Sequence, residues 1–220
     1  MALAYDTGSQ NFAGSGTSDT FNLTLSASAT VIYAFVMSDG AGVPAASNPT
    51  WNGVAMTAMS DNPITQGGFK QYGYYLYSPA TGTNALACTY SSASGGKYLA
   101  GHSYTGGPTT GTPNVGSGTA GSGTSITSSS VTITNTGGWR VCSYLCDGGG
   151  VTSGSGNTLR GSVLNTAWGV FDTNGAVATG TMTQSSSPTS GAQSIHVSEI
   201  VAISAGVATP STLMLLGIGI

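Results

Sequence analysis

Charge is what this sequence has least of. Its 220 residues hold four Lys+Arg and seven Asp+Glu, so 5% of the chain is charged, against about a quarter in an ordinary soluble domain. The four cations stand at positions 70, 97, 140 and 160 and cannot form the clustered footprint that neutralises phosphates, which excludes nucleic-acid binding. The good helix formers Leu, Glu, Lys, Gln and Arg are scarce, and a mostly helical fold is excluded with them.

Cysteine is scarce as well. Cys88, Cys142 and Cys146 are odd in number and show no two-residue metal spacing. Cys142 and Cys146 share one strand-like run, and four strand residues span about 13 Å, too far for a mutual bridge. Three reduced, packed thiols are expected, with a Cys88 to Cys142 cross-strand bridge as the alternative.

Catalytic constellations are missing too. Of the carboxylates Asp6, Asp19, Asp39, Asp61, Asp147, Asp172 and Glu199, three (Asp39, Asp61 and Asp147) directly neighbour Gly or Asn and Asp172 has Asn174-Gly175 just after it, settings that suit Asx turns. The seven do not read as the paired acids of a glycosidase. His102 and His196 fall within strands and read as sheet residues, and no Gly-x-Ser-x-Gly elbow accompanies them. Gly116 to Gly121 matches the dinucleotide pattern letter for letter, but the Ser/Thr-rich residues after it cannot start the helix that would hold a pyrophosphate. Asp147-Gly-Gly-Gly150 and Asp172-Thr-Asn-Gly175 offer oxygen ligands without a second carboxylate, so calcium is not expected. No enzyme activity, cofactor or metal is expected.

What the chain does have is 31 Ser, 31 Thr, 35 Gly and 39% hydrophobic residues. The apolar part is rich in Val, Ile and Tyr, which suit a pleated, half-buried surface. A domain of this length can bury roughly 70% of the surface its unfolded chain exposes, enough for a core without metal or disulfide support. Short apolar runs near 21–26, 30–38, 51–59, 72–78, 85–90, 98–104, 131–134, 139–146, 159–164, 167–171, 177–182 and 194–204 predict about a dozen strands and no helix. Asn52-Gly53 and Asn174-Gly175 predict two-residue hairpin turns.

The expected fold is all-β: a single antiparallel sandwich of jelly-roll or immunoglobulin-like type. It divides into an N-terminal arm (1–18), a sandwich (19–205) and an apolar C-terminal tail (206–220). Residues 106–130, dominated by Gly, Ser, Thr and Pro, predict one long surface loop, with a linker between two halves of the sandwich as the alternative. The loop is favoured because neither half has enough strands to close two sheets alone.

Two segments stand out as binding candidates. In the run from Tyr72 to Tyr77 the two-residue period puts Tyr72, Tyr74 and Leu76 on one face and Tyr75 and Tyr77 on the other. An exposed face would stack on a sugar; a covered one would be core. In the tail, Leu213, Met214, Leu215, Leu216, Ile218 and Ile220 form an apolar stretch after Pro210, too short to span a bilayer. It is expected to dock on another subunit. The opening Met-Ala-Leu-Ala-Tyr-Asp6 has neither the basic nor the apolar region of a secretory signal. With the hydroxyl-rich surface, it suggests a product assembled in a cytosol that then works outside cells.

Four segments carry a family resemblance: Val31-Ile-Tyr-Ala-Phe-Val36, Pro49-Thr-Trp-Asn-Gly-Val-Ala-Met-Thr57, Tyr74-Tyr-Leu-Tyr-Ser-Pro-Ala-Thr-Gly82 and Ala100-Gly-His-Ser-Tyr-Thr-Gly106. Together they resemble a β-sandwich module of tailed-bacteriophage virion proteins, also met in bacterial surface proteins. The resemblance spans roughly residues 20–204. It implies a non-enzymatic virion protein exposed on the particle exterior, foremost a capsid decoration protein on the major capsid protein lattice, and a homo-oligomer. The alternatives are a tail or fibre component that binds host glycan, or a secreted carbohydrate-binding module.

Overall fold

The computed structural model describes residues 2–39, 48–93, 95–120, 123–146, 150, 152, 156–163, 167–187, 191 and 193–202. Within them lie nineteen strands, β1 to β19 in chain order, and no helix. The all-β expectation is met, with more and shorter strands than the dozen predicted.

The central sheet has the order β1-β10-β3-β8-β6, with β7 also on β8. Its strands are β1 (Ala4–Ala13), β3 (Ala29–Asp39), β6 (Thr57–Ala58), β7 (Ile64–Gln66), β8 (Phe69–Tyr77) and β10 (Lys97–Thr105). One face carries a four-stranded sheet of β2 (Ser18–Leu25), β9 (Gly82–Thr89), β4 (Thr50–Trp51) and β5 (Val54–Ala55), in the order β2-β9-β4-β5. The other face carries a five-stranded sheet, β11-β19-β14-β16-β15. It is built from β11 (Val115–Ala120), β14 (Trp139–Cys146), β15 (Thr158–Val163), β16 (Trp168–Asp172) and β19 (Gln193–Ile200). Two short ribbons, β12 (Ile126–Thr127) on β18 (Ser185–Ser186) and β13 (Val131–Ile133) on β17 (Gly180–Met182), flank the outer face of this sheet. All pairings are antiparallel.

Stacking explains why whole strands are apolar. In β3, Val31, Tyr33, Phe35 and Met37 enter the core shared with the five-stranded sheet, where Val141, Leu145, Trp168 and Val170 meet them. Ile32, Ala34 and Val36 enter the core shared with the four-stranded sheet, beside Leu23, Trp51 and Leu86. A third core, with Cys142, Tyr144, Phe171, Ile195 and Val197, is closed by Ile126 and Val131 from the ribbons. A strand buried on both faces has no polar side to show, so its sequence does not alternate.

Three expectations are corrected. Most of the predicted arm, residues 4–13, is β1, paired along its length with β10. The predicted loop at 106–130 contains β11 and β12. β11 is poor in apolar side chains because backbone packs against it: a Cβ on Gly118 would run into the Thr127 carbonyl, a close approach that only glycine allows. This also gives the Gly116 and Gly118 pattern a packing reason with no nucleotide. At Asn52-Gly53 both residues take positive φ, as a hairpin turn requires, whereas at 174–175 only Asn174 does. The tail residues Leu213, Met214, Leu215, Leu216, Ile218 and Ile220 lie outside the described residues.

Candidate functional site

Two β-bulges set apart charged side chains, Asp6 and Arg160. The register of β1 against β10 slips between Tyr5 and Thr7, leaving Asp6 unpaired. That of β15 against β16 slips between Leu159 and Gly161, leaving Arg160 unpaired. A bulge re-aims its extra side chain, and here Arg160 meets Asp172 across the β15–β16 hairpin. Nε donates to Oδ2 at 2.7 Å and Nη2 to Oδ1 at 2.8 Å, and Nη2 also donates to Asn174 Oδ1 at 2.7 Å. Asp172 is fully buried and accepts two further hydrogen bonds, from Tyr104 Oη at 3.0 Å and from the Asn174 backbone N–H at 2.9 Å. The last is the Asx turn read from the sequence.

The cluster continues into the central sheet. The guanidinium of Arg160 lies 4.0 Å from the Tyr5 ring centroid, a cation–π contact, and Tyr5 Oη lies 3.4 Å from Nδ1 of the fully buried His102. Burial raises the Tyr5 phenol, with the positive charge of Arg160 opposing. Burial, and secondarily Arg160, hold His102 down at about 3. The arrangement sets a neutral imidazole against a neutral phenol, beside an Asp172 side chain whose two oxygens are already bonded.

Other buried polar groups tie the layers together in the same way. Gln71 of β8 donates to Ser143 Oγ at 2.5 Å and accepts from Ser194 Oγ at 2.7 Å, crossing between the central and five-stranded sheets. Buried Glu199 accepts from the Thr134 N–H at 2.5 Å, from Thr134 Oγ1 at 2.7 Å and from Asn114 Nδ2 at 2.6 Å, pinning the segments before β11 and after β13 to β19. His196 Nε2 lies 3.3 Å from Asp61 Oδ1. Its ring is edge-on to Phe35 and fills the space a side chain on Gly73 would need.

The aromatic candidates are packed. Tyr72 and Tyr74 stack with centroids 6.5 Å apart in the core toward the four-stranded sheet, and Tyr75 and Tyr77 pack at 4.9 Å toward the five-stranded sheet. The predicted split into two faces is observed, yet both faces are covered, so the exposed stacking platform is corrected: Tyr72, Tyr74 and Tyr75 are buried and Tyr77 is half-buried. Cys88, Cys142 and Cys146 are free, buried thiols. Cys88 and Cys142 belong to different cores, which removes the bridge alternative. Burial pushes the Cys88 thiol up to about 12, far from the range of a reactive thiolate.

Among the described residues no group of three or more His, Cys, Asp or Glu could hold a metal ion, and no helix is long and apolar enough to cross a membrane. Asp147 lies outside the described residues. At Asp172 both carboxylate oxygens are engaged by Arg160, Tyr104 and the Asn174 amide. Melting curves recorded with and without EDTA are therefore expected to coincide; a large drop with chelator would show that a turn such as 147–150 or 172–175 binds calcium.

Fold and site define an all-β protein of stacked antiparallel sheets whose polar clusters serve as fasteners between layers. No protein-family model matches the chain, and none of the curated proteins does. Among solved structures it is similar to a chain titled Red Clover Necrotic Mosaic Virus, at 12% identity and a TM-score of 0.21, covering 91% of this chain and 98% of that one. A score that low does not define a shared topology.

Proposed function

We propose that this chain is a non-enzymatic structural protein of a tailed-bacteriophage particle. It would be a capsid decoration protein seated on the major capsid protein lattice and exposed on the particle exterior. One observation carries most of the support: the four resembling segments build one packed unit. Residues 31–36 lie on β3, 49–57 span β4, β5 and the start of β6, 74–82 lead from β8 into β9, and 100–106 are the second half of β10 and the residue after it. The first three contribute side chains to the core between the central and four-stranded sheets, and the fourth pairs with the first in the central sheet, with Ala100 and Tyr104 in the core on its other face. The low charge and hydroxyl-rich sequence suit a subunit that stands outside cells. The polar groups that pin one sheet to another suit a part that must hold its shape. The glycan-binding alternative rested on exposed tyrosines, and their packing leaves it without residues.

The test uses particles banded on a density gradient from a lysate of the source culture and an antibody against the chain. The chain is expected to band with the particles and gold label to cover the heads. Recovery in the soluble fractions alone, or label confined to tails, would overturn the reading. Attachment is assigned to the tail. Burying Leu or Ile is worth about 1.5–3 kcal/mol each, so deleting residues 213–220 is expected to weaken binding to stripped particles by roughly a hundredfold or more. The β-type circular dichroism should be unchanged. Undiminished occupancy would take the tail out of the attachment.

A further inference from the structure

The free sheet edges of this protein are not alike. β1 and β15 carry bulges at Asp6 and Arg160, which interrupt the straight row of N–H and C=O groups that invites another strand. β2 carries none. Ser18–Leu25 runs against β9 in eight consecutive pairs without a shift and contains no Pro, Lys or Arg. Its one charge, Asp19, sits near the start of the strand, buried, with Oδ1 held by Asn11 at 2.6 Å.

The phase of the edge is fixed. Tyr90 donates its N–H to the Thr17 carbonyl at 2.8 Å, and on the other side of β9 Asn52 donates to the Ala85 carbonyl at 2.9 Å. Hydrogen-bonded pairs alternate along an antiparallel ladder, so the odd residues of β2 aim their backbone groups at β9. Ser18, Thr20, Asn22 and Thr24 aim theirs away from the sheet. The same four residues are exposed and uncharged, while Phe21 between them is half-buried against the inner core.

We propose that β2 is the pairing edge for a second copy of this chain, antiparallel about a two-fold axis at Phe21, so that two four-stranded sheets become one continuous sheet. This register sets Ser18 opposite Thr24 of the second copy, Thr20 opposite Asn22, and Phe21 opposite its counterpart. A second copy fits because a two-fold pairing of one edge with itself satisfies the outward groups of both strands and closes the assembly. Facing hydroxyl and amide side chains hydrogen-bond across such a ladder, and no like charges oppose each other along it. Phe21 occupies the non-hydrogen-bonded position, where facing side chains come closest, and loses its remaining exposed surface to an aromatic partner. The dimer needs no particle, so it stands or falls separately from the virion reading.

Sedimentation of the full chain over a wide concentration range is expected to show a monomer–dimer equilibrium. Hydrogen exchange at the Thr20, Asn22 and Thr24 amides should slow roughly tenfold or more as the dimer fills, while the Phe21 and Leu23 amides, bonded to β9, stay protected throughout. Asn22→Lys changes an exposed side chain, so it should keep the melting temperature and leave the chain monomeric. Phe21→Cys should yield a disulfide-linked dimer, because facing Cα atoms at that position are about 4.5 Å apart, within disulfide reach, and the native thiols are buried. A chain that stays monomeric would overturn the proposal. So would a dimer whose Thr20, Asn22 and Thr24 amides exchange at the monomer rate, or one that Asn22→Lys leaves intact.

Discussion

Replacing Asp172 with Ala is expected to destabilise the protein by about 3–5 kcal/mol, the cost of leaving one half of a buried ion pair behind. The Arg160 side chain is 13% exposed and that of Asp172 is 0% exposed, so water cannot take over the role of the carboxylate. Without it the guanidinium keeps, among the described residues, Asn174 Oδ1 and the Tyr5 ring, and the fully buried Tyr104 hydroxyl loses its acceptor, a penalty of about 1–3 kcal/mol when nothing replaces it. Against a total stability of roughly 5–15 kcal/mol for a domain, this single change brings the fold near its limit. Removing both charges behaves differently, because an apolar pair of similar volume avoids burying either ion. The double variant Arg160→Met with Asp172→Leu is therefore expected to recover part of the loss, the Tyr104 hydroxyl still lacking its acceptor. Urea unfolding of the three proteins decides it. An Asp172→Ala variant within about 1 kcal/mol of the parent would show that the cluster does not fasten β15 and β16 to the central sheet.

The fold class was readable from the sequence because it follows from composition and period, and the layering was not. An unbroken apolar run such as Val31 to Met37 announces burial on both faces without saying what covers them. A two-sheet sandwich was therefore the natural expectation, and three stacked sheets with flanking ribbons are what forms. The same limit governed the tyrosines. Alternation separated Tyr72 and Tyr74 from Tyr75 and Tyr77 correctly, but period alone does not tell a solvent face from a second core. β1 was missed because Ala4–Ala13 alternates weakly and owes its conformation to its partner β10. β11 was missed because its glycines admit the backbone of residues 127–130 where side chains would give a pattern. In the polar cluster, Asp172 was legible as an Asx turn, and the Asn174 amide does bond it. Its larger role comes from Arg160, twelve residues earlier, brought beside it by a bulge within the β15–β16 pairing. A bulge leaves no local mark in the sequence. The one available signal was the scarcity of charge itself: where a chain holds so few ions, one set at the end of an apolar strand has a structural partner.

Acid is expected to unfold this protein well before its carboxylates are fully protonated, and His102 is the reason. The ring lies fully buried on β10, in the space left by the absent side chain of Gly8, with Tyr5 as its polar neighbour. Burial first, and then the charge of Arg160, hold its pKa down at about 3, whereas an unfolded histidine titrates near 6.5. The folded protein therefore keeps His102 neutral while the unfolded chain takes up a proton. The contribution to stability is complete above about pH 6.5 and is lost as pH falls toward about 3, at up to one proton per molecule. Integrated over that window, the loss has a ceiling of roughly 5 kcal/mol. His196 acts in the same direction, since burial outweighs the attraction of Asp61. Urea unfolding at intervals from about pH 7 to about pH 4 should show stability declining steadily. His102→Gln, which cannot titrate, should start lower near neutrality and decline with a shallower slope, by close to one proton. A parent whose stability is flat across the window, or a glutamine variant with the parent's slope, would remove His102 as the acid-sensitive group.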